Sequence, residues 1–369
     1  MKRMRARDYG IKIGIYPTGR FNSITDVKGV RVGHTTIIRG SGKLIPGKGP
    51  VRTGVTTILP NERVFDKKLI AGSYVLNGAG EMSGITQLSE WGLIETPIAL
   101  TNTHDVGTVH KGIISWMSKK YERIWNSTQV VIPVVGECDD SYLNDSIGNH
   151  ISEADVVAAL NNAKGGVVEE GSVGSGTGMI CCDFKGGIGT SSRVVEIGGI
   201  PYTLGALVMS NFGVMDELRI DGFAVGRMLD KRAGDVKRRR DNYGSIIVVI
   251  ATDLPVSSSQ IQRICKRSAL GIGRMGSHAA HGSGEIIVGF STGNALPQGR
   301  RSPLNDLKII GDEYLGPAYR AVIEATEEAI VNSLCAAEAI VGINDNTALI
   351  IDKKFLKEFF EKVDSLELR

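Results

Sequence analysis

The sequence predicts a single layered α/β domain, on three observations. Short β-branched apolar runs of buried-strand length recur along the chain, and segments with apolar residues at helical spacing lie between them. Strand and helix patterns stand on both sides of the one strongly charged stretch. No break in composition divides the 369 residues, which are enough for a large core.

In chain order, Ile24–His34 alternates and punctuates like a strand with a turn, and Gly54–Pro60 reads as a strand ended by proline. Ala71–Leu76 predicts a third strand, which runs into the loop Asn77–Gly84 and then helical spacing through Ile85, Leu88 and Trp91. That order invites a nucleotide site, but the dinucleotide fingerprint needs glycine at its sixth place, where Ser83 stands. No Walker lysine follows, so the loop is expected to line a pocket. Ile98–Leu100 is strand-like and ends in Thr101-Asn102-Thr103-His104-Asp105; Val109–Tyr121 then has helical spacing.

Gln129–Val135 is strand-like and delivers Glu137, Asp139, Asp140 and Asp145, four carboxylates within nine residues. Carboxylates are costly to bury without partners, so the stretch reads either as a solvated acidic loop or as a cation or amine site. Ser152 with Asp155 forms a capping box ahead of a helix through Val156, Val157 and Leu160. The segments Gly171–Met179 and Phe184–Ser192 read as loops of small residues, rich in backbone donors suited to an anion or oxyanion. Leu204–Met209 is apolar and closes at Ser210-Asn211-Phe212-Gly213, where an asparagine amide either donates to an oxyanion or completes a turn.

The stretch with the most chemistry is Tyr243-Gly244-Ser245, followed by Ile246-Ile247-Val248-Val249-Ile250-Ala251. Before it lies a run from Lys231 to Asn242 too charged to bury; after it comes an apolar run suited to a strand covered on both faces. A Gly-Ser bond thus sits where an exposed loop meets a buried strand. The pair suits an ordinary strand start, and it also suits a self-cleaving precursor. Glycine leaves its carbonyl open to attack and tolerates strained angles. Cleavage would give Ser245 a free α-amine of intrinsic pKa about 7.7–8.0, which suits a general base near neutral pH. Nucleophile and base would then belong to one residue.

Beyond the strand, Thr252-Asp253-Leu254-Pro255 ends it, and Ser257, Ser258 or Ser259 caps a helix with Ile261, Ile264, Cys265 and Ile272 inward. His281–Ser291 is a polar loop feeding a strand, containing Ser283 and Glu285. An alanine-rich helix is expected from about Leu315 to Ala339, and a last helix from about Asp352 with Phe355, Leu356, Phe359 and Phe360.

Composition excludes several classes of function. With 43 basic and 40 acidic residues the net charge is +3, which gives no footprint for nucleic acid. The basic cluster at 237–240 reads as a solvated loop. Cys138, Cys181, Cys182, Cys265 and Cys335 are odd in number and lack C-x-x-C spacing, so neither a disulfide framework nor a zinc site is expected. The basic N-terminus is not followed by an apolar signal core, and no run reaches membrane-spanning length. These features predict a cytoplasmic protein without a membrane partner. Glycine stands at 47 residues against a usual share of about 7%, which points to tight turns and close backbone approach.

Taken together, Asn22–His34, Val51–Pro60, Asn77–Gly84, Gly136–Asp145, Gly171–Ser192, Ser210–Gly213, Gly244–Pro255 and Ser283–Asn294 resemble, in order, the P1/S58 peptidase family. This is the family of the DmpA-like aminopeptidases/D-esterases and the β-peptidyl aminopeptidases. The resemblance implies a four-layer αββα sandwich similar to that of N-terminal nucleophile hydrolases. It implies one domain, 1–369, cut by itself into 1–244 and 245–369, commonly as a tetramer of cleaved protomers. By the same resemblance Ser245 matches the nucleophile, Ser283 and Glu285 the pair that hydrogen-bonds it, and Asn211 the oxyanion donor. Tyr142 matches a tyrosine near the reacting centre, and Glu137 a carboxylate that grips the substrate amine. His281 is left as a loop residue, and no metal or organic cofactor is implied. The expected activity is an autoprocessed serine aminopeptidase acting on short peptides, amides or esters. Two other readings stand beside it: a self-cleaving acyltransferase of the ornithine acetyltransferase type, against which serine at 245 argues, and an uncut protein binding an anionic metabolite.

Overall fold

Two β-sheets lie face to face with helices on their outer surfaces. The structure, a computed structural model, describes residues 3–125, 130–233, 244–298 and 303–367. The chain begins with β1 (Arg31–Arg39), β2 (Val51–Leu59), β3 (Lys67–Gly78), β4 (Met82–Ser83) and α1 (Ile85–Trp91). There follow β5 (Leu93–Ile94), β6 (Ile98–Asn102), α2 (Val106–Lys120), β7 (Val134–Cys138) and α3 (Glu153–Asn161). Next come β8 (Ile180–Cys181), β9 (Phe184–Lys185), β10 (Gly187–Ile197), β11 (Ile200–Phe212), α4 (Val225–Ala233) and β12 (Gly244–Thr252). The last elements are α5 (Ser258–Arg274), β13 (Gly284–Pro297), α6 (Gly316–Ala336), β14 (Ile340–Val341), β15 (Thr347–Ala348) and α7 (Lys353–Ser365).

One sheet has the order β1-β2-β6-β7-β4 and carries α2 and α3; the other has the order β10-β11-β12-β13-β3-β5 and carries α5 and α6. This is the expected αββα sandwich. The period-two pattern of the strands builds it. On β11 and β12, Leu207, Met209, Ile247 and Val249 fill the layer between the sheets, against Ile58, Leu100 and Val134. The alternate residues Ala206, Val208, Ile246, Val248 and Ile250 pack outward beside Ile261, Ile264 and Ala325 of the helices. Every residue of β12 is buried, as its unbroken apolar run requires.

Capping follows the sequence closely. Ser152 and Asp155 exchange bonds as a capping box, Ser257 caps α5, and Asp352 caps α7. Some expectations need correction, and one of two open readings falls away. β7 starts only at Val134, because Pro133 has no N–H to give a ladder; Gln129, where the strand is expected to begin, lies outside the described residues. Gly187–Ser192 is not loop but the first part of β10, its small residues allowing α6 to lie close: a Cβ on Gly189 would sit 1.9 Å from the Ala329 carbonyl oxygen. The acidic stretch is not a solvated loop, since Glu137, Asp140 and Asp145 are buried. Each has partners: Asn144 for Asp140, and the Gly49 N–H and His150 for Asp145.

Lys231 and Arg232 lie in α4, whereas the basic cluster at 237–240 and Tyr243 lie outside the described residues. All five cysteines are buried, and none is joined in a disulfide. Among the described residues no helix is long and apolar enough to cross a membrane.

An ion network, not anticipated from the sequence, joins the chain before residue 245 to the chain after it. Arg193 of β10 is fully buried and meets Glu324 (3.3 Å) and Glu328 (2.7 Å) of α6. Arg7 gives Glu328 two further bonds, of 2.8 and 2.9 Å. Asn332 accepts from the Ala6 N–H and donates to the Thr190 carbonyl. Arg193→Met takes one partner from each of two buried carboxylates, which keep Arg320 (for Glu324) and Arg7 (for Glu328), so it is expected to cost about 1.5–3 kcal/mol of stability, measured by denaturant unfolding.

Candidate active site

The first residues of β12 set the site. β11 and β12 run antiparallel with Asn211 opposite Ser245 and Phe212 opposite Gly244. On its other side β12 runs parallel to β13, with Ile246 opposite Glu285. Gly244 has φ +80°, a left-handed conformation in which a side chain would be strained. The Ser245 side chain shares the parity of Ile247 and Val249, and Asn211 that of Leu207 and Met209. Both therefore face the space between the sheets.

The Asn211 amide is held at both ends. Its Oδ1 accepts from the Ile180 N–H (2.8 Å), and its Nδ2 donates to the Asp139 carbonyl (2.9 Å). With the oxygen already engaged by a backbone donor, the amide has a single orientation and Nδ2 remains the donor end. A side chain fixed this way is organised to stabilise charge without reorganising.

Ser283 and Glu285 are both fully buried, and the Ser283 hydroxyl donates to Glu285 Oε1. Burial pushes Glu285 up to about 7, with the Ser283 bond opposing the shift. The turn that presents them is clamped by Asn77 of β3, whose amide donates to the carbonyls of Ala280 (2.8 Å) and Ser283. His281 lies exposed in that turn, a loop residue as expected.

Glu137, at the end of β7, accepts from the Glu81 N–H (2.8 Å) and from the Thr103 hydroxyl. Burial raises its pKa while these two bonds lower it. A Cβ on Gly80 would lie 3.1 Å from Glu137 Oε1 and 3.7 Å from Gly284 Cα, so the Asn77–Gly84 loop bridges the two sheets here. Tyr142 is in the same Asp139–Asp145 segment that receives the Asn211 amide, and its ring packs beside Leu143, Ile180, Ile340 and Ala348. The fold thus gathers Ser245, Asn211 and Glu285 on three adjacent strands, with Ser283 in the turn just before the last of them. Glu137 and Tyr142 reach the same end of the sandwich from the facing sheet and its following loop. Asn77 and Thr103 were not singled out from the sequence as individual residues; only their place in loops at strand ends hinted at them.

A hydroxyl, an oriented amide donor and a carboxyl that can hold a proton near neutrality are the parts of an acyl-transfer centre. Comparison with known proteins finds the chain's relatives among aminopeptidases. Residues 22–348 match peptidase family S58. The chain is 44% identical over 355 residues to the β-peptidyl aminopeptidase BapA of Sphingosinicella xenopeptidilytica, covering 92% of this chain and 87% of that protein. It superposes on the PH0078 protein of Pyrococcus horikoshii OT3 with TM-score 0.93 and 45% identity, over 98% of this chain and 99% of that one. The L-aminopeptidase D-Ala-esterase/amidase of Ochrobactrum anthropi, described as a prototype for the serine aminopeptidases and a variant of the Ntn hydrolase fold, gives TM-score 0.89 and 39% identity over 98% and 99% of the two chains.

The shift of Glu285 makes a stability prediction. Folded, the carboxyl titrates near 7; its ordinary value is 4.5. Between those values the folded state holds more protons than the unfolded one. In a Ser245→Ala chain, this residue's contribution to unfolding free energy should fall as pH rises from about 4.5 to about 7, then level off. Glu285→Gln in that background should flatten the slope. Denaturant midpoints across this range check it, and parallel curves for the two chains would contradict the shift.

Proposed function

The chain belongs to peptidase family S58, and we propose that it is a serine aminopeptidase that makes its own nucleophile by cutting between Gly244 and Ser245. Family membership sets aside the reading of a simple metabolite-binding protein, and the S58 match favours hydrolysis over the acyltransferase reading. The observation that carries the proposal is the start of β12, where Ser245 stands opposite Asn211 on one side and one residue from the Glu285 register on the other.

In the cut, the Ser245 hydroxyl oxygen attacks the Gly244 carbonyl carbon. The C–N bond breaks, the nitrogen takes a proton, and an ester joins Gly244 to Ser245 Oγ. Water hydrolyses the ester, leaving a carboxylate on Gly244 and a free α-amine on Ser245. The products are Met1–Gly244 and Ser245–Arg369, which fits one domain nicked rather than split.

In turnover the α-amine accepts the hydroxyl proton as Ser245 attacks the substrate carbonyl, and that proton then passes to the departing amine. Asn211 Nδ2 donates to the oxyanion, a contribution worth about 10²–10³ in rate for one donor. Ser283 and Glu285 hold and orient the proton at the α-amine, and Tyr142 borders the reacting centre. Glu137, a buried carboxylate fixed by Glu81 and Thr103, receives the free amine of the substrate. The substrate is then a short peptide, amide or ester with an unblocked N-terminus, and the likeness to BapA supports β-amino residues among those accepted. Family resemblance further supports a tetramer of cleaved protomers that uses no metal or organic cofactor, and five buried cysteines without a disulfide support a reducing, cytoplasmic setting.

Two outcomes test this. Purified protein should give two fragments by intact mass, the second beginning at Ser245, while Ser245→Ala should give one inactive chain; turnover in that variant removes the nucleophile. Glu137→Gln should raise KM about ten- to a hundredfold for substrates with a free N-terminus. Equal handling of free and N-acetylated substrates by the unaltered enzyme would contradict the amine role.

A further inference from the structure

Lys185, on β9, is fully buried and takes no part in the chemistry above. Its Nζ lies 2.8 Å from each of three carbonyl oxygens, those of Gly176, Met179 and Gly186. Among the described residues no carboxylate pairs with it. A lysine buried without a counter-ion is costly, so its retention in the core needs a reason.

The Met179 carbonyl belongs to the same peptide group as the Ile180 N–H. That N–H donates to Asn211 Oδ1, and Asn211 stands opposite Ser245. A chain of polarised bonds therefore runs from the ammonium through the 179–180 peptide to the Asn211 amide. Each bond in it points its positive end the same way, so each strengthens the next in a low-dielectric interior. The hairpin of β8 and β9 is also fixed to β11, the Cys182 N–H donating to the Phe212 carbonyl (2.7 Å).

We infer that Lys185 is a positioning residue for acyl transfer, its buried cation orienting the 179–180 peptide and sharpening the Asn211 amide as an oxyanion donor. The inference rests on the reading of Asn211 given under Proposed function. Burial pulls the Lys185 pKa down to about 7. Even so, three carbonyls at hydrogen-bond distance match the three protons of an ammonium, whereas a neutral amine has only two.

A double-mutant cycle tests this against a merely structural lysine. Lys185→Gln keeps donors and loses charge; Lys185→Arg keeps charge but cannot aim three N–H bonds from one atom. Each is made with Asn211 present and with Asn211→Ala, and kcat and KM on an aminoacyl anilide are measured per cleaved chain, counted by intact mass. With Asn211 present, kcat should fall roughly three- to tenfold for Lys185→Gln and less for Lys185→Arg, with KM unchanged. With Asn211→Ala the same substitutions should change kcat less than about twofold. Should the glutamine protein not fold, the arginine arm decides alone. For any variant that folds, an equal loss in both backgrounds, or none with Asn211 present, overturns the proposal. An Asn211→Ala enzyme with unreduced kcat instead overturns the oxyanion reading beneath it, a result the single Asn211 variant gives without reference to Lys185.

Discussion

The pairing of β11 with β12 is the constraint on which the site depends. Asn211 and Ser245 face each other because nine consecutive residue pairs, from Leu204 with Thr252 to Phe212 with Gly244, hold one register. A slip of one residue would turn Ser245 from the space between the sheets toward the helices and point Ile246 the other way. Two buried apolar faces oppose such a slip along the whole strand. The position of one hydroxyl is therefore set by the hydrophobic core and not by local polar contacts.

If the chain is cut as proposed, the domain needs cohesion across the cut. The central sheet supplies part of it, since β12 and β13 from after residue 244 lie between β11 and β3 from before it. The Arg7, Arg193, Glu324 and Glu328 network supplies another part, tying the N-terminal segment and β10 to α6. A buried ion pair is a weak source of net stability compared with apolar packing of the same shape. Its effect is on specificity: neither side can bury its charges unless the other side is present and in register.

What could be read from the sequence was what is local. The alternation of β12, the caps at Ser152 and Ser257 and the inward face of α5 are set by residues a few positions apart. The order of small motifs likewise pointed to the family and the layered fold. What could not be read was which polar groups the folded chain brings together. Glu137 and Asp145 look like parts of a solvated run until Glu81 and Thr103 are brought to the first and the Gly49 N–H to the second. The helix over Leu315–Ala339 is expected only as alanine-rich, and nothing near its glutamates in the sequence points to Arg193, about 130 residues earlier. Lys185, likewise, is one lysine among small residues until the loop before it folds back and three backbone carbonyls close around it.

On the proposed chemistry, burial of Glu285 links processing to activity. Among the described residues no cation faces the Ser283–Glu285 pair before the cut, and desolvation favours the protonated carboxyl. Cleavage creates an amine at Ser245, one residue from the register position of Glu285. A positive charge arriving there would favour the carboxylate, and the carboxylate in turn would raise the amine's affinity for a proton. The apolar setting that makes an isolated charge expensive thus makes the two charges appear together. The β12 backbone, held by β11 and β13 on either side, has no need to move as they do.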